Sequence, residues 1–266
     1  MRPILSATGT YNYNLAKWLE QKLKPLSLNE YTITDAFAFA DEIRTHTISE
    51  ADILVSYDVT ALFTNVPLEE TIKILVNEAF TDDWFNKTYG LNLQQDQLAR
   101  LLEIATTKQL LQFNGQLYQQ TDGVAMGSPL GPLMANVFMC HLEEKLTRDG
   151  FMPQLYKRFV NDTLATMPSA DSAAEFLSTL NGVQPSLTFT TELPVDIKIS
   201  FIGIEIVKNG TKLETQAYRK PTNTGLLLHF QSHTDKCYKN TDTSCLCLVI
   251  YKRGFQCRMC QVALYI

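Results

Sequence analysis

Residues 156–167 read Tyr-Lys-Arg-Phe-Val-Asn-Asp-Thr-Leu-Ala-Thr-Met, two short apolar arms either side of Asn161-Asp162. Asn and Asp are the non-glycine residues that best tolerate the positive φ of a two-residue hairpin turn, so the stretch predicts a β-hairpin turning at Asn161-Asp162 with a carboxylate at its tip. On its own such a pair is only a turn. A carboxylate on a rigid turn can hold divalent ions for phosphoryl or nucleotidyl transfer if a second carboxylate faces it from a neighbouring strand.

The second carboxylate has one good candidate. Residues 52–59, Asp-Ile-Leu-Val-Ser-Tyr-Asp-Val, have the length and β-branched composition of a buried strand, with Asp58 at its end. After a loop over 60–66, Asn65 is expected to cap a helix with Pro67 in its first turn, Glu69 and Glu70 near its positive end, and Leu68, Ile72, Leu75, Val76 and Ala79 inward. An acid at the C-terminal end of a central strand often lies beside a ligand crevice.

The remaining chain supplies scaffold and one special loop. Helices are expected over 10–26, stopped by Pro25, and over 34–45, with Phe37, Ala40 and Ile43 on one face. A loop is expected over 81–90, a helix over 94–107 with Leu98, Leu101, Leu102 and Ala105 as its stripe, and a hairpin at Asn114-Gly115. Residues 120–132, Gln-Thr-Asp-Gly-Val-Ala-Met-Gly-Ser-Pro-Leu-Gly-Pro, can be neither ordinary strand nor helix, and Pro132 is expected to open a helix reaching Thr147. A glycine-rich turn feeding a helix suits close approach of a phosphate or base, but without Lys-Ser or Lys-Thr it is not a P-loop. A helix over 171–180, a strand over 187–191 and a hairpin turning at Asn209-Gly210 follow, then a basic loop over 218–225.

With 266 residues, 45% hydrophobic and 19% charged, the chain can bury a sizeable core. No stretch approaches the ~20 apolar residues of a membrane span, and the N-terminus lacks the apolar run of a secretory signal. The net charge of −5 and a pI near 5.4 argue mildly against nucleic-acid binding. A protein that grips nucleic acid in one groove needs cations only there, and Lys157, Arg158, Arg219 and Lys220 flank the expected hairpin and basic loop. Of six cysteines only Cys140 lies in the body, which reads as reduced and intracellular; the others crowd the last thirty residues.

The order of the motifs is more informative than any one of them. An acid-tipped strand followed by an aromatic (Asp58, Phe63), a Gly127-Ser128-Pro129 loop before a helix, an aromatic-x-x-Asp hairpin (Phe159 to Asp162) and a Phe-x-Gly hairpin from Phe201 resemble the motif series of reverse transcriptases. Phe63-Thr-Asn-Val-Pro-Leu, Thr121-Asp-Gly-Val-Ala-Met-Gly-Ser-Pro-Leu-Gly-Pro and Tyr218-Arg-Lys-Pro-Thr-Asn-Thr-Gly are similar to those of Penelope-like retroelement polymerases. The resemblance covers residues 2 to about 234. It implies an α+β fold, a right-hand polymerase palm in which an antiparallel sheet is packed by helices. The fingers would be partial (1–50), the palm would span 51–217, a truncated thumb or connection would begin over 218–240, and a divergent Cys-rich tail would follow over 241–266.

By the same resemblance the activity would be RNA-directed DNA polymerisation by two Mg²⁺ ions held by Asp58 and Asp162, with the Val59 carbonyl completing a shell. Phe63 would exclude a ribose 2′-hydroxyl, Gly127, Ser128 and Pro129 would shape the pocket of the nascent pair, Phe201 and Gly203 would grip the primer, and Arg2 would face the triphosphate. The implied partners are an RNA template, a DNA primer and dNTPs, with no membrane, and the implied location is the nucleus. Where the family hairpin carries two adjacent aspartates, this chain has Asn161 first. An amide offers a neutral oxygen where an ion needs negative charge, so a large loss of activity is expected while the turn survives. The alternative is an inactive palm that binds nucleic acid or is a relic. The chain is expected to start inside the fingers, and no endonuclease domain is expected to follow. Cys245, Cys247, Cys257 and Cys260 could ligate zinc, but the abrupt change of composition reads rather as a frameshift or mispredicted exon.

Overall fold

The computed structural model describes residues 7, 9–107, 109–121 and 123–218, together with 222 and 233. Residues 1–218 form one unit and 219–266 a second. Arg2, Arg219, Lys220 and the cysteines from Cys237 onward lie outside the described residues.

In chain order the elements are α1 (Tyr13–Leu23), α2 (Ala36–Thr45), β1 (Ile53–Val59), α3 (Leu62–Asn65), α4 (Leu68–Phe80), α5 (Trp84–Tyr89), α6 (Gln95–Thr106), β2 (Leu110–Phe113), β3 (Gln116–Gln119), α7 (Leu130–Arg148), β4 (Tyr156–Phe159), β5 (Asp162–Met167), α8 (Ala170–Val183), β6 (Phe189–Glu192), β7 (Lys198–Phe201), β8 (Ile204–Asn209) and β9 (Lys212–Ala217). Several expectations shift for local reasons. Asp35 caps α2, accepting hydrogen bonds from the Phe37 and Ala38 amides at 2.8 and 2.7 Å, and the phase this sets turns Phe39, Ala40 and Ile43 inward. Phe37, two residues from Phe39 and so on nearly the opposite side, is 40% exposed rather than buried. Asn65 ends α3 and donates to the Thr60 carbonyl, leaving Pro67 as the cap of α4. Residues 81–90 are not a loop: α5 buries Phe85 edge-on against Trp18 and Tyr89, and a helix of six residues is too short to show a period. Helix α7 begins at Leu130, with Pro132 inside its first turn, where a missing amide proton costs nothing. The β8–β9 turn falls on Gly210-Thr211 because Asn209 still pairs with Lys212, whereas Asn114 and Gly115 both take the positive φ of the expected turn.

Four strands pair antiparallel in the order β4-β5-β1-β6, and β7-β8-β9 form a second sheet. Both faces of β1 are covered along most of its length. Val55, Tyr57 and Val59 point into a core shared with α7 and α8, where the Tyr57 hydroxyl donates to the Ala173 carbonyl at 3.2 Å. Leu54 points the other way, with Leu164 of β5, into a core built by α2 and the β7–β9 sheet. Ser56 is the next residue on that face and Asp58 the one after, where burial gives way to partial exposure. A third core joins α1, α4, α5 and α6 to the far side of α7, so α7 is apolar on two sides.

One ion pair lies inside this packing. Arg158 on β4 is 0% exposed, and its Nε donates to Glu143 Oε1 on α7 at 2.5 Å. Its Nη2 reaches Glu143 Oε2 at 3.3 Å and Thr32 Oγ1 at 3.3 Å, and its Nη1 reaches Asn136 Oδ1 at 3.0 Å and the Val160 carbonyl at 3.2 Å. Asn29 Nδ2 donates to the same Glu143 Oε2 at 2.7 Å. Burial alone would lower the Arg158 pKa, but the Glu143 carboxylate outweighs it and holds the guanidinium above its ordinary value. The sequence-based placing of Arg158 among groove cations is therefore corrected: it is a strut between hairpin, central helix and the loop before α2. Lys157 pairs with Glu42 at 2.8 Å and donates to the Glu30 carbonyl.

Removing one member of a buried pair leaves an uncompensated charge. Arg158→Ala and Glu143→Ala are each expected to cost about 3–5 kcal/mol in chemical denaturation, and Arg158→Met with Glu143→Leu together to cost less than the sum of the singles. A second expectation concerns pH. Burial, with the Glu144 carboxylate nearby, pushes Glu78 on α4 from 4.5 up to about 7. A carboxyl raised in the folded state contributes its stability below pH 4.5 and loses it as pH rises through about 7. Glu78→Gln should remove that fall, making the variant more stable than the parent by about 1–2 kcal/mol above pH 7, as read from urea midpoints across pH.

Candidate active site

Asp58 of β1 and Asp162 of β5 stand directly opposite one another in the antiparallel register. Directly opposed residues share a face with Cβ atoms about 5 Å apart, so the two carboxylates can reach one cation. Both are partly exposed. Burial, then the charges of Asp58 and Glu192, raises the pKa of Asp162 above its ordinary value.

The turn that carries this acid is one residue earlier than the sequence predicts. Phe159 pairs with Asp162, so Val160-Asn161 is the two-residue turn and Asp162 the first residue of β5. Val160 takes φ +57°, a region in which a β-branched side chain is strained. Three bonds hold it: Arg158 to the Val160 carbonyl, the Val59 amide to the Asn161 carbonyl at 3.0 Å, and Asn161 Nδ2 to Asp58 Oδ1 at 2.5 Å. Asn161 is thus a donor to the first carboxylate.

Beyond β1 the chain reverses at Ala61, φ +53°, into α3, which carries Phe63. The Val124 amide donates to the Phe63 carbonyl at 2.7 Å, seating the glycine-rich loop on α3. Gly123 takes φ +68°, and a Cβ there would lie 2.5 Å from the Thr64 carbonyl oxygen, so no other residue fits. Phe63 and Gly127, Ser128 and Pro129 line one groove of about 600 Å³, walled on the other side by α1 through Tyr13, Lys17 and Glu20. The reverse-transcriptase resemblance, rather than any spacing, set Phe63 and the Gly-Ser-Pro loop beside one pocket, and they line the same groove; the part of α1 did not stand out in an ordinary amphipathic pattern.

The other expected residues fall differently. Val59 is buried in the core beneath the sheet. Phe201 is 3% exposed and stacks edge-on against Phe39 at 5.5 Å, whereas in the turn that follows, with φ +41° at Ile202 and +82° at Gly203, Gly203 is exposed. Arg2 lies outside the described residues. Sequence reasoning missed Glu192, whose strand partner Ser56 lies two residues from Asp58 on the same face. An isolated glutamate on a four-residue strand gives no signal until the register is known. Among the described residues no three His, Cys, Asp or Glu side chains converge on one metal position. The oxygen donors of Asp58 and Asp162 fit a hard divalent cation such as Mg²⁺, which binds through one or two carboxylates and completes its shell with water and substrate phosphates.

No match is found among curated proteins. Among solved structures the chain is similar to telomerase from Candida tropicalis in its apo form, with a TM-score of 0.57 and 15% identity over 77% of this chain and 40% of that one. It is also similar to the same enzyme truncated from its C-terminal domain (0.55, 15%, 80% and 46%) and to Candida albicans telomerase in complex with a TWJ fragment of telomeric RNA (0.55, 15%, 75% and 38%). The chain spans less than half the length of each of these. The likeness is one of fold: a polymerase palm, mixed helices around an antiparallel sheet. The family model for reverse transcriptase (RNA-dependent DNA polymerase) matches residues 1–186, well over half the sequence, and this chain belongs to that family.

Proposed function

We propose that the chain is built for nucleotidyl transfer from a dNTP to a primer 3′-hydroxyl on an RNA template, in the manner of Penelope-like retroelement polymerases, and that Asn161 weakens it. The observation that carries this reading is the register pair of Asp58 and Asp162 on facing strands, with family membership behind it. Asp58 and Asp162 would hold Mg²⁺, aided by the Val59 carbonyl. Such ions lower the pKa of the attacking hydroxyl and neutralise the leaving pyrophosphate when bound. The chain's own groups do the positioning: Phe63 stands at the groove wall where a ribose edge would lie, and the Gly127-Ser128-Pro129 backbone shapes the floor. Residues 1–50 would serve as fingers and 51–217 as palm, with the turn at Gly203 toward the primer. A nuclear site of action follows from the same reading.

A second reading, a palm that binds nucleic acid without catalysis, is favoured by the Asn161–Asp58 hydrogen bond, which occupies the carboxylate meant for the ion. Primer extension on an RNA template with Mg²⁺ and dNTPs separates the two. Asn161→Asp is expected to extend the primer faster than this chain by on the order of 10²-fold or more. Equal rates would refute the role given to Asn161; no extension by either folded protein would leave the binding reading standing.

A further inference from the structure

Asp58 is fastened to the hairpin by more than strand pairing. The Asn161 carbonyl accepts from the Val59 amide at 3.0 Å, and the Asn161 amide donates back to Asp58 Oδ1 at 2.5 Å. Backbone and side chain of one residue thus clamp two consecutive residues of β1. We propose that the Asn161 amide is a built-in substitute for a cation: it closes Asp58 to divalent ions, so that the carboxylate face is satisfied without metal and takes none up when no nucleotide is present. This rests on the reading of Asp58 and Asp162 as the ion-binding pair.

The chemistry of the amide makes the closure two-fold. A short N–H bond takes one lone pair of Asp58 Oδ1 and draws charge from the whole carboxylate, so an ion approaching its remaining lone pairs meets a weaker ligand, and hydrogen bonds to a charged acceptor are among the stronger ones. To put its own oxygen where its N–H now meets Asp58, the amide would have to turn over and give up that bond, and the oxygen it then offers is neutral. Entry of an ion therefore costs the bond to Asp58 and gains only a neutral ligand. An aspartate at 161 would reverse every sign. Three carboxylates, Asp58, Asp162 and the new one, would crowd the turn with Glu192 along the same face, and a cation would relieve them.

The test compares melting temperatures in chelator and in Mg²⁺, and the free Mn²⁺ signal in electron paramagnetic resonance, all without nucleotide. The proteins are this chain, Asn161→Asp and the exchange Asp58→Asn with Asn161→Asp. The parent should melt at the same temperature in chelator and Mg²⁺ and leave Mn²⁺ free. Asn161→Asp should melt roughly 5 °C lower in chelator, recover in Mg²⁺ and bind Mn²⁺. The exchange, which keeps one amide, one carboxylate and the same total charge, should melt close to the parent in chelator, showing that the hydrogen bond itself is what was lost. Stabilisation of the parent by Mg²⁺ overturns the proposal, as does an Asn161→Asp protein unaffected by chelator or an exchange that fails to recover. If Asn161→Asp is weakened and the exchange recovers, yet no ion binds or restores Asn161→Asp, the ion-binding reading of the pair falls and the closure falls with it. Neither readout depends on polymerase activity, so a failure of extension alone leaves the proposal intact.

Discussion

The buried pair of Arg158 and Glu143 is the constraint on which the site depends. A hairpin at the edge of a four-stranded sheet is free to twist and fray, and its turn here adds a β-branched residue at positive φ, a strain of order 1–3 kcal/mol. What opposes that strain is a guanidinium with no exposure, anchored to the central helix and reaching the strained residue's own carbonyl. The fork of donors suits this duty: two edges engage Glu143 while another holds the turn, which a lysine could not do at once. Charge is buried in this core at a cost, and what it secures is the position of one turn.

The second constraint is where the covering ends. The face of β1 that carries Leu54 and Ser56 lies under α2 and the β7–β9 sheet, and Asp58 is the first of its residues past that cover. Its partner Asp162 follows by register and Glu192 by the next strand over. Phe201, in the role of a core residue, helps to build the cover whose edge exposes the acids. Packing and site are two ends of the same strand, which is why Asp58 can be half-open while Tyr57 beside it is wholly enclosed.

Much of this was legible in the residues because several signals depend only on near neighbours. The apolar run ending at Asp58, the Asn114-Gly115 turn and the glycine-rich stretch each act through local backbone preferences, and each appears where expected. What was misread needed tertiary information. Arg158 looks like any exposed cation beside a turn until Glu143 is known to be buried on α7. Asn161-Asp162 is the better turn by local preference, and the register with Phe159 overrides it, placing valine where asparagine would sit more comfortably. Glu192 becomes meaningful only through its pairing, and α5 only through the aromatic cluster that closes on Phe85.

Asparagine and aspartate have nearly the same shape, and that explains how a hairpin of this kind can hold its form while its chemistry changes. The turn asks of residue 161 a carbonyl for Val59 and a side chain short enough to reach Asp58, and the amide meets both demands. An aspartate would meet the first and, without a cation, oppose the second. The fold therefore does not resist the amide; on the hydrogen-bond account it is eased by it, because a like-charge contact is replaced by a donor and an acceptor. On the proposed function, stability and nucleotidyl transfer thus make opposite demands at residue 161, with the same backbone serving either.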